Sequence, residues 1–515
     1  MRTAFTSVLA LFAGLSFSAS AVLGAPQQAN TAENQPAQRP ADAHAMIEKA
    51  IAYLRTQQDA KTGGWCIQEG APVFPAITGL VLQGMLAQPG ITEDDPAVQK
   101  AVKFILDSQQ KDGGIYVGLL PSYNTAICLT ALKDVKSPAS VADAKARAME
   151  FLRTLQFGEG AVVHEGMADS AQNVGKDNPY YGGFGYGRSG RPDMSNTSFA
   201  IEAMHAMNLP DNDPAFQRAI AFLQRCQMQE KGAGGQAIND MAYAQGSGQG
   251  GFIYSTSPNK DHVGVGISYG GEIAESLDGR SGASAQVRLK QVEGKLRTLK
   301  KDEVVAKIKA IWDREPDTAR GIIPQEYLVV LGAGDGGASS RFEVRATISP
   351  DRLSTILTEA LAADIDGPTA ITTHAEEHWH GLVRHRAYGT MSYAGLKSYL
   401  YAGLSKTDPR VLAAREWMKR NYSLTTNPGV DDTDGLYYYY VMFARTNDAL
   451  GETTLPVLHA DGSTEQRDWA KDLIDQLATL QNEDGSFRSV DDRWMENNPV
   501  LITAYSLIAL QCAAR

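Results

Sequence analysis

Cysteine is scarce in this sequence, which has four residues of it in 515: Cys66, Cys128, Cys226 and Cys512. No two of them form a Cys-x-x-Cys pair, so the sequence has none of the cysteine spacings that are typical of metal sites. Cys128 and Cys512 lie in apolar, helix-like segments, where a buried thiol is commoner than a disulfide. The sequence does not predict how the four would pair in an oxidising compartment.

Basic residues are also fewer than acidic ones. The formal net charge is -11 and the isoelectric point is about 5.4. No stripe of Lys and Arg with interleaved aromatic residues is present. Because binding to a phosphate backbone requires such cations, we predict no nucleic-acid partner.

Long apolar runs are absent after the N-terminus, so we predict no transmembrane segment beyond residue 21. Residues 1–21 carry one cation at Arg2, a short apolar run from Val8 to Phe17, and a small-residue ending, which is typical of a bacterial secretory signal peptide. An N-terminal membrane anchor is the alternative, although the run is short for a bilayer. Residues 22–44 lack periodicity and are predicted to be a disordered leader. We therefore expect an exported protein, periplasmic or extracellular.

What the sequence does contain is a repeated phrase. A basic residue and alanine are followed, after two variable positions, by an aromatic and an aliphatic residue and then, four positions on, by glutamine. The apolar spacing is that of one face of a helix. Four segments obey the rule and end at Gln58, Gln109, Gln156 and Gln227, while weaker copies end at Tyr422 and Gln481. Glycine turns follow several copies: Gly63-Gly64-Trp65, Gly113-Gly114-Ile115, Gly182-Gly183-Phe184 and Gly250-Gly251-Phe252.

A second, almost wholly apolar helix is predicted after each amphipathic one, at 78–87, 125–132, 197–207, 393–404 and 503–513. Such pairs cannot cover their own apolar surface, so they must stack, with the amphipathic helices outside. Asp-Pro steps at Asp95, Asp213 and Asp408 mark the starts of outer helices, with aspartate as N-cap. We predict an all-α fold, an α/α toroid or barrel of about six helix pairs, over 45–262 and 385–515.

Residues 263–384 interrupt the repeats and are predicted to form a small α+β or helical insertion. A charged segment at 285–315 has Leu289, Val292, Leu296 and Leu299 on one stripe, which predicts a helix. Runs at 322–334 and 342–350 favour strands. The insertion is a candidate docking site for a protein partner.

The repeated phrase resembles the QW-type motif of the prenyltransferase and squalene cyclase repeat family, which includes squalene–hopene cyclases. The similarity covers roughly residues 45–257 and 386–513. It implies an α/α toroid in which the glutamine and the aromatic residue tie neighbouring outer helices together. Protein prenyltransferases of this family bind zinc through an Asp-x-Cys pair and a distant histidine. No Asp-x-Cys occurs here, so prenyl transfer is not expected, and neither a metal nor another cofactor is expected.

The resemblance also implies catalytic residues. Class II terpene cyclases of the family protonate an alkene with the middle residue of an Asp-x-Asp-Asp motif. The matching stretch reads Gly429-Val430-Asp431-Asp432, with glycine in place of the first aspartate, so Asp431 would be the acid and Asp432 its neighbour. Burial and a neighbouring carboxyl group are what keep such an acid protonated. The alternative is a surface turn whose aspartates cap a helix that starts near Gly435.

Aromatic residues cluster in the segments 179–198, 246–256 and 427–443. We expect these segments to lie at one mouth of the ring and to form a pocket for an apolar or a carbohydrate small molecule. The candidate ligand-binding residues are Tyr181, Phe184, Tyr186, Phe252, Tyr437 and Tyr438. The alternative is that the glycines and tyrosines shape tight turns between helices.

A histidine cluster at 374–385 contains a His-x-x-Glu-His pattern formed by His374, Glu377 and His378. On a helix this pattern can hold zinc, but a solvated helix end is the better interpretation. A glycine-rich run at 332–339 lacks the Lys-Ser/Thr ending of a phosphate-binding loop and is read as a turn. The hypothesis is an exported class II terpenoid-cyclase-like enzyme that acts on an apolar isoprenoid; the alternative is a non-catalytic secreted binding scaffold.

Overall fold

Twelve helices are the main secondary structure of the described residues. The structure is a computed structural model that describes residues 39–65, 74–159, 173–187, 191–244, 247–256, 272–291, 339–346, 369–430, 433–489 and 493–515, with positions 310, 355 and 359. The helices are α1 Arg39–Thr56, α2 Pro75–Leu86, α3 Pro96–Asp107, α4 Pro121–Ala131, α5 Ser140–Thr154, α6 Met194–Ala206, α7 Pro214–Cys226, α8 Gly389–Tyr401, α9 Pro409–Arg420, α10 Leu436–Leu450, α11 Trp469–Ala478 and α12 Pro499–Ala513.

The helices alternate between two kinds, as the repeat predicts. The odd-numbered members, here called the outer helices, bury only one face; in α3, for example, Ala97, Val98, Ala101, Val102 and Ile105 are buried. The even-numbered members, the core helices, are buried almost all round. Helix α1 begins at Arg39, ahead of the predicted leader boundary. The predicted helix-rich fold is therefore confirmed in its coarse form.

The core helices contact one another in series. Helix α2 packs on α4, α4 on α6, α6 on α8, α8 on α10 and α10 on α12, and α12 in turn packs on α2. The outer helices α1, α3, α5 and α7 each pack on at least one core helix, as do α9 and α11. This order of contacts is consistent with the predicted α/α toroid.

Aspartate caps begin three of the outer helices at the predicted Asp-Pro steps. The side chains of Asp95, Asp213 and Asp408 accept hydrogen bonds from backbone amides in the first turns of α3, α7 and α9. Proline follows each aspartate, where its missing N–H costs nothing. These caps explain why the helix starts could be read from the sequence.

The glutamine of each repeat links two outer helices. Gln58, just after α1, donates its side-chain amide to the carbonyl oxygens of Gly63 (2.8 Å) and Ala97 (2.9 Å), the second of which lies in α3. Four further glutamines bond in the same way to a turn glycine and to the next outer helix: Gln109, Gln156, Gln227 and Gln481. After α9, the Tyr422 hydroxyl donates instead to Asp472 of α11 (2.7 Å). Gln481 bonds Met46 of α1, so these links also return to the first helix.

A second regular link joins each glycine turn to the core helix that follows. The amide of Trp65 donates to the Thr78 hydroxyl in α2 (3.1 Å). The residues that follow the other double-glycine turns, and Phe487, donate in the same way to Thr125, Thr197, Ser392 and Thr503. Since these amides are buried, each would lack a partner without the hydroxyl.

Nine strands complete the described elements: β1 Phe184–Gly185, β2 Pro192–Asp193, β3 Gln227–Gln229, β4 Gly248–Phe252, β5 Glu272–Gln291, β6 Ser339–Ala346, β7 Thr369–His385, β8 Thr454–Leu458 and β9 Thr464–Asp468. Strands β5, β6 and β7 form an antiparallel sheet in the order β6-β5-β7 within the predicted insertion. The other strands pair as hairpins: β1 with β2, β3 with β4, and β8 with β9.

Two helix predictions in the insertion are wrong where the structure describes it. Residues 285–291 lie in β5, and 292–315 fall outside the described residues except for Ala310. His374 and His378 lie in β7, where residues four apart are about 13 Å apart along the strand and cannot share one metal ion. The strand predicted at 342–350 is confirmed for 342–346, whereas the segments 322–334 and 332–338 lie outside the described residues.

Three cysteines, Cys128, Cys226 and Cys512, are buried free thiols, and burial raises the pKa of each. Cys66 lies outside the described residues. The helices that the structure describes include none with the length and apolarity needed to cross a bilayer.

Candidate ligand cavity

A cavity of about 290 Å³ lies where the N-terminal ends of the core helices meet. Every core helix, or the residue just before it, contributes to the wall, together with residues from the connecting loops. The lining residues are Phe74, Ala76, Ile77, Leu80, Leu120, Tyr123, Asn124, Ile127, Tyr186, Ser195, Phe199, Tyr254, Tyr388, Thr390, Met391, Tyr438, Trp494, Met495, Leu501 and Tyr505. The wall is mostly apolar and aromatic, as ligand pockets are.

Five of the lining rings form a continuous array, here called the aromatic array. Tyr505 stacks on Tyr438 with centroids 5.7 Å apart, and Tyr438 stacks on Phe199 at 5.9 Å. Phe199 contacts Tyr123 at 5.6 Å, and Tyr123 contacts Tyr186 at 5.6 Å. The array therefore passes from α12 through α10, α6 and α4 to the loop before β2.

Hydroxyl groups in the wall are hydrogen-bonded to one another. The Ser195 hydroxyl lies 2.7 Å from the Tyr438 hydroxyl, and the Tyr186 hydroxyl lies 2.6 Å from that of Tyr254. Tyr254 also lies near the carboxylate of Asp193, the N-cap of α6.

Asp193 is a buried acid beside the cavity. Its carboxylate accepts bonds from the backbone amide and from the side chain of Asn196, both at 2.8 Å. Burial raises the pKa of Asp193 to about 6, and the hydrogen bonds from Asn196 offset only part of that effect. The protonated carboxyl group is thus much more stable here than in the unfolded chain.

The raised pKa of Asp193 predicts a dependence of stability on pH. Because the native state holds this proton more tightly than the unfolded state, its stabilising effect is complete below the unfolded pKa and is lost as the pH rises through about 6. Asp193→Asn removes the titration, and a flip of the Asn196 amide would satisfy the new side chain. Between about pH 4 and pH 7 we expect the native protein to lose on the order of 3 kcal/mol more stability than the variant. Urea unfolding of both proteins across this range is the measurement; parallel curves would contradict the assignment.

The rim of the cavity combines exposed apolar side chains with an uncommon backbone conformation. Leu120, Trp494 and Met495 all have positive φ angles, of 51°, 54° and 66°, although none is glycine. Leu120 and Met495 are also well exposed for apolar residues. Strain of this kind is typical of ligand-binding loops. Nearby, the buried carboxylate of Glu496 caps α10 by accepting bonds from the amides of Tyr437 and Tyr438.

A buried charged cluster lies deeper between the core helices. Glu202 of α6, one turn beyond Phe199, pairs with Lys397 of α8 and with Arg445 of α10, each at 2.5 Å. Arg445 also donates to the side chain of Gln83 in α2. Burial acts to raise the pKa of Glu202, but attraction to Arg445 and Lys397 outweighs it and the pKa is lowered.

The structure brings two of the six predicted ligand-binding residues into the cavity wall, Tyr186 and Tyr438. The other four are buried elsewhere. Phe184 and Phe252 donate their amides to Thr197 and Ser392 within the repeat links, Tyr437 lies under the Glu496 cap, and Tyr181 closes a turn on Asn178. Asp431 and Asp432 lie outside the described residues.

Several wall residues were not predicted from the sequence. Tyr123, Phe199, Tyr388, Trp494 and Tyr505 belong to core helices or to the segments before them. Their common signal is position, since most lie in the first two turns of a core helix. Among the residues that the structure describes, no group of histidine, cysteine or carboxylate side chains is placed to hold a metal ion.

Comparison with known proteins links the chain to squalene cyclases. No family model matches it. Over 189 residues the chain is 25% identical to a squalene–hopene cyclase from Bradyrhizobium diazoefficiens, a match that covers 35% of this chain and 28% of that protein. The predicted resemblance to squalene cyclases is confirmed, in weak form. The match spans less than a third of that enzyme's length.

Similar solved structures include a variant of the type II terpene cyclase MstE from Scytonema in complex with geranylgeranyl dihydroxybenzoate. The two chains are 12% identical, and the match covers 92% of this chain and 98% of the cyclase chain, with a TM-score of 0.26. Cellobiose 2-epimerase from Bacillus thermoamylovorans is 10% identical, covers 74% of this chain and 85% of its own, and has a TM-score of 0.30. At such low TM-scores neither likeness supports a conclusion about the cavity.

Proposed function

We propose that this protein is an exported α/α toroid of six helix pairs and a class II terpenoid-cyclase-like enzyme that acts on an apolar isoprenoid. The observation that carries the proposal is the aromatic array in the cavity wall. A ring face attracts a desolvated cation by about 2 kcal/mol, so contiguous rings suit a carbocation that moves along a folded polyene. The apolar remainder of the wall suits the hydrocarbon chain and excludes water.

The proposed acid is Asp431, with Asp432 as its neighbour. They precede Tyr438 of the aromatic array by seven and six positions in the sequence. In the reaction, a proton passes from the carboxyl group to an alkene carbon and leaves a carboxylate and a carbocation. After ring closure, the cation loses a proton to water, and a proton from the solvent returns to the carboxylate, which restores the acid.

The test is incubation of the protein, freed of residues 1–21, with squalene and with shorter polyprenyl substrates. We expect cyclised products from at least one of them, and a loss of at least about 100-fold in rate for Asp431→Asn. Asp448→Asn, an exposed position on α10 paired with Arg515, is a matched control that should keep the activity. Absence of products from all substrates, or equal rates for Asp431→Asn and the native protein, would refute the cyclase proposal.

A second candidate is a non-catalytic secreted binding protein for an apolar ligand. It is favoured by one observation: the described residues of the cavity wall include no carboxyl side chain. Ligand binding without product formation in the same incubation would select this candidate. The mostly apolar wall favours an apolar ligand over a carbohydrate. Docking of a protein partner on the insertion stays a prediction.

A further inference from the structure

Three hydroxyl groups from three different core helices meet in the cavity wall. Tyr123 comes from α4, Ser195 from α6 and Tyr438 from α10. Ser195 hydrogen-bonds Tyr438 at 2.7 Å, and Tyr123 lies in the same wall, with its ring 5.6 Å from that of Phe199. These three groups, here called the hydroxyl trio, form a polar point within the aromatic array.

The trio has more hydrogen-bond donors than the bond between Ser195 and Tyr438 uses. Each hydroxyl carries one O–H hydrogen and can accept further bonds. That bond employs one of the two hydrogens of Ser195 and Tyr438, so the other O–H stays available and can point into the cavity. A buried hydroxyl that finds no acceptor loses the free energy of its hydrogen bond to water.

The neighbouring hydroxyl pair differs, because a carboxylate lies beside it. Tyr186 bonds Tyr254 at 2.6 Å, and the charge of Asp193 acts on both hydroxyls. An ionised Asp193 attracts the hydrogen ends of these O–H groups, which favours Tyr186 as the donor to Tyr254. The oxygen of Tyr186 can still accept a bond from a ligand hydroxyl. The wall thus offers one donor at the trio and one acceptor at Tyr186, and Tyr123 contacts Tyr186 directly.

We propose that the hydroxyl trio is a polar subsite that binds the oxygen atom of an oxygenated isoprenoid, such as a polyprenyl alcohol. This inference rests on the proposed isoprenoid site and narrows its ligand from a hydrocarbon to an alcohol. An alcohol both accepts and donates a hydrogen bond, which matches the trio and Tyr186 together. A hydrocarbon would leave the spare O–H of the trio without a hydrogen-bond acceptor and out of contact with water.

The experiment compares two ligands that differ by one oxygen atom. Geranylgeraniol and the hydrocarbon in which hydrogen replaces its hydroxyl are titrated into the protein, and binding is followed by calorimetry. We expect the native protein to bind the alcohol about ten-fold or more tightly than the hydrocarbon, beyond any difference in their partition from water. Ser195→Ala and Tyr438→Phe are each expected to reduce this preference to about two-fold.

Tyr440→Phe is the matched control, since it removes a tyrosine hydroxyl of α10 that lies outside the cavity wall and donates to the carbonyl oxygen of Leu424. It should keep the preference for the alcohol. Equal binding of both ligands by the native protein overturns the polar subsite and leaves the isoprenoid site standing. Binding of neither ligand overturns both proposals. A preference that survives in Ser195→Ala and Tyr438→Phe, with thermal unfolding unchanged, shows that the trio is not the subsite.

Discussion

Glu202→Ala is expected to destabilise the protein by about 3–5 kcal/mol, because it leaves two buried cations without their counter-charge. The side chain of Lys397 is 0% exposed and that of Arg445 is 9% exposed. Neither can turn towards water, since both lie between core helices. Burial already lowers the pKa of Lys397, and Glu202 is the contact that offsets it. The measurement is the free energy of unfolding in urea near neutral pH.

Two control variants separate charge from volume at Glu202. Glu202→Gln keeps the size of the side chain and removes its charge, so we expect it to lose most of the same stability. Replacing Glu202, Lys397 and Arg445 together by leucine and methionine removes every charge, and such exchanges are often neutral or stabilising by about 1–4 kcal/mol. A fully stable Glu202→Gln protein would show that the ion pairs contribute little.

The framework of this fold could be predicted because its contacts are local in sequence and repeated. Gln58 bonds Gly63 five residues away, and Gln109 bonds Gly113 four residues away. Aspartate caps at Asp-Pro steps depend only on the first helical turn. A motif that repeats together with its turn residues can be recognised from the local sequence, without knowledge of contacts with the rest of the chain.

The cavity was harder to predict, because its wall combines single residues from distant repeats. Ser195 and Tyr438 lie 243 positions apart and meet only when α6 and α10 are placed. Phe184 and Phe252 are as aromatic as Tyr186, yet they serve the links between turn and core helix. Composition alone could not separate the two roles. Position in the first turns of a core helix identifies wall residues such as Tyr123 and Tyr438, but not Tyr186, which lies in a loop.

The insertion was misread for a related reason. Leu289 and its neighbours follow a helical stripe, but residues 285–291 pair with both β6 and β7, whose residues lie about 50 to 90 positions later. Strand pairing between residues so far apart in the sequence leaves little signal in a short sequence window. The helix predicted at the His-x-x-Glu-His pattern is wrong, because these residues lie in the strand β7. Zinc binding by this pattern depends on a helix.

Gly182→Ala is expected to cost more than about 4 kcal/mol, enough to threaten folding, because the turn has no room for a methyl group. A Cβ atom at Gly182 would lie 1.7 Å from the carbonyl oxygen of Arg218 in α7, and the φ angle of Gly182 is +90°. Relief of this clash requires the turn to move away from α7. That movement would break the bonds by which Gln156 joins Gly182 to Ala215, at 3.0 and 2.8 Å. Loss of soluble expression or a large fall in the midpoint of thermal unfolding is the expected observation.

Gly235→Ala distinguishes crowding from backbone strain. Gly235 has a similar φ angle of +80°, but nothing lies within 4 Å of a Cβ atom there. Strain alone should therefore cost Gly235→Ala about 1–2 kcal/mol. If the two substitutions cost the same, the close approach of the turn to α7 would not be what requires glycine at position 182. A much greater cost at Gly182 is expected, since the double-glycine turn must lie against the next outer helix for the glutamine to reach both carbonyl groups.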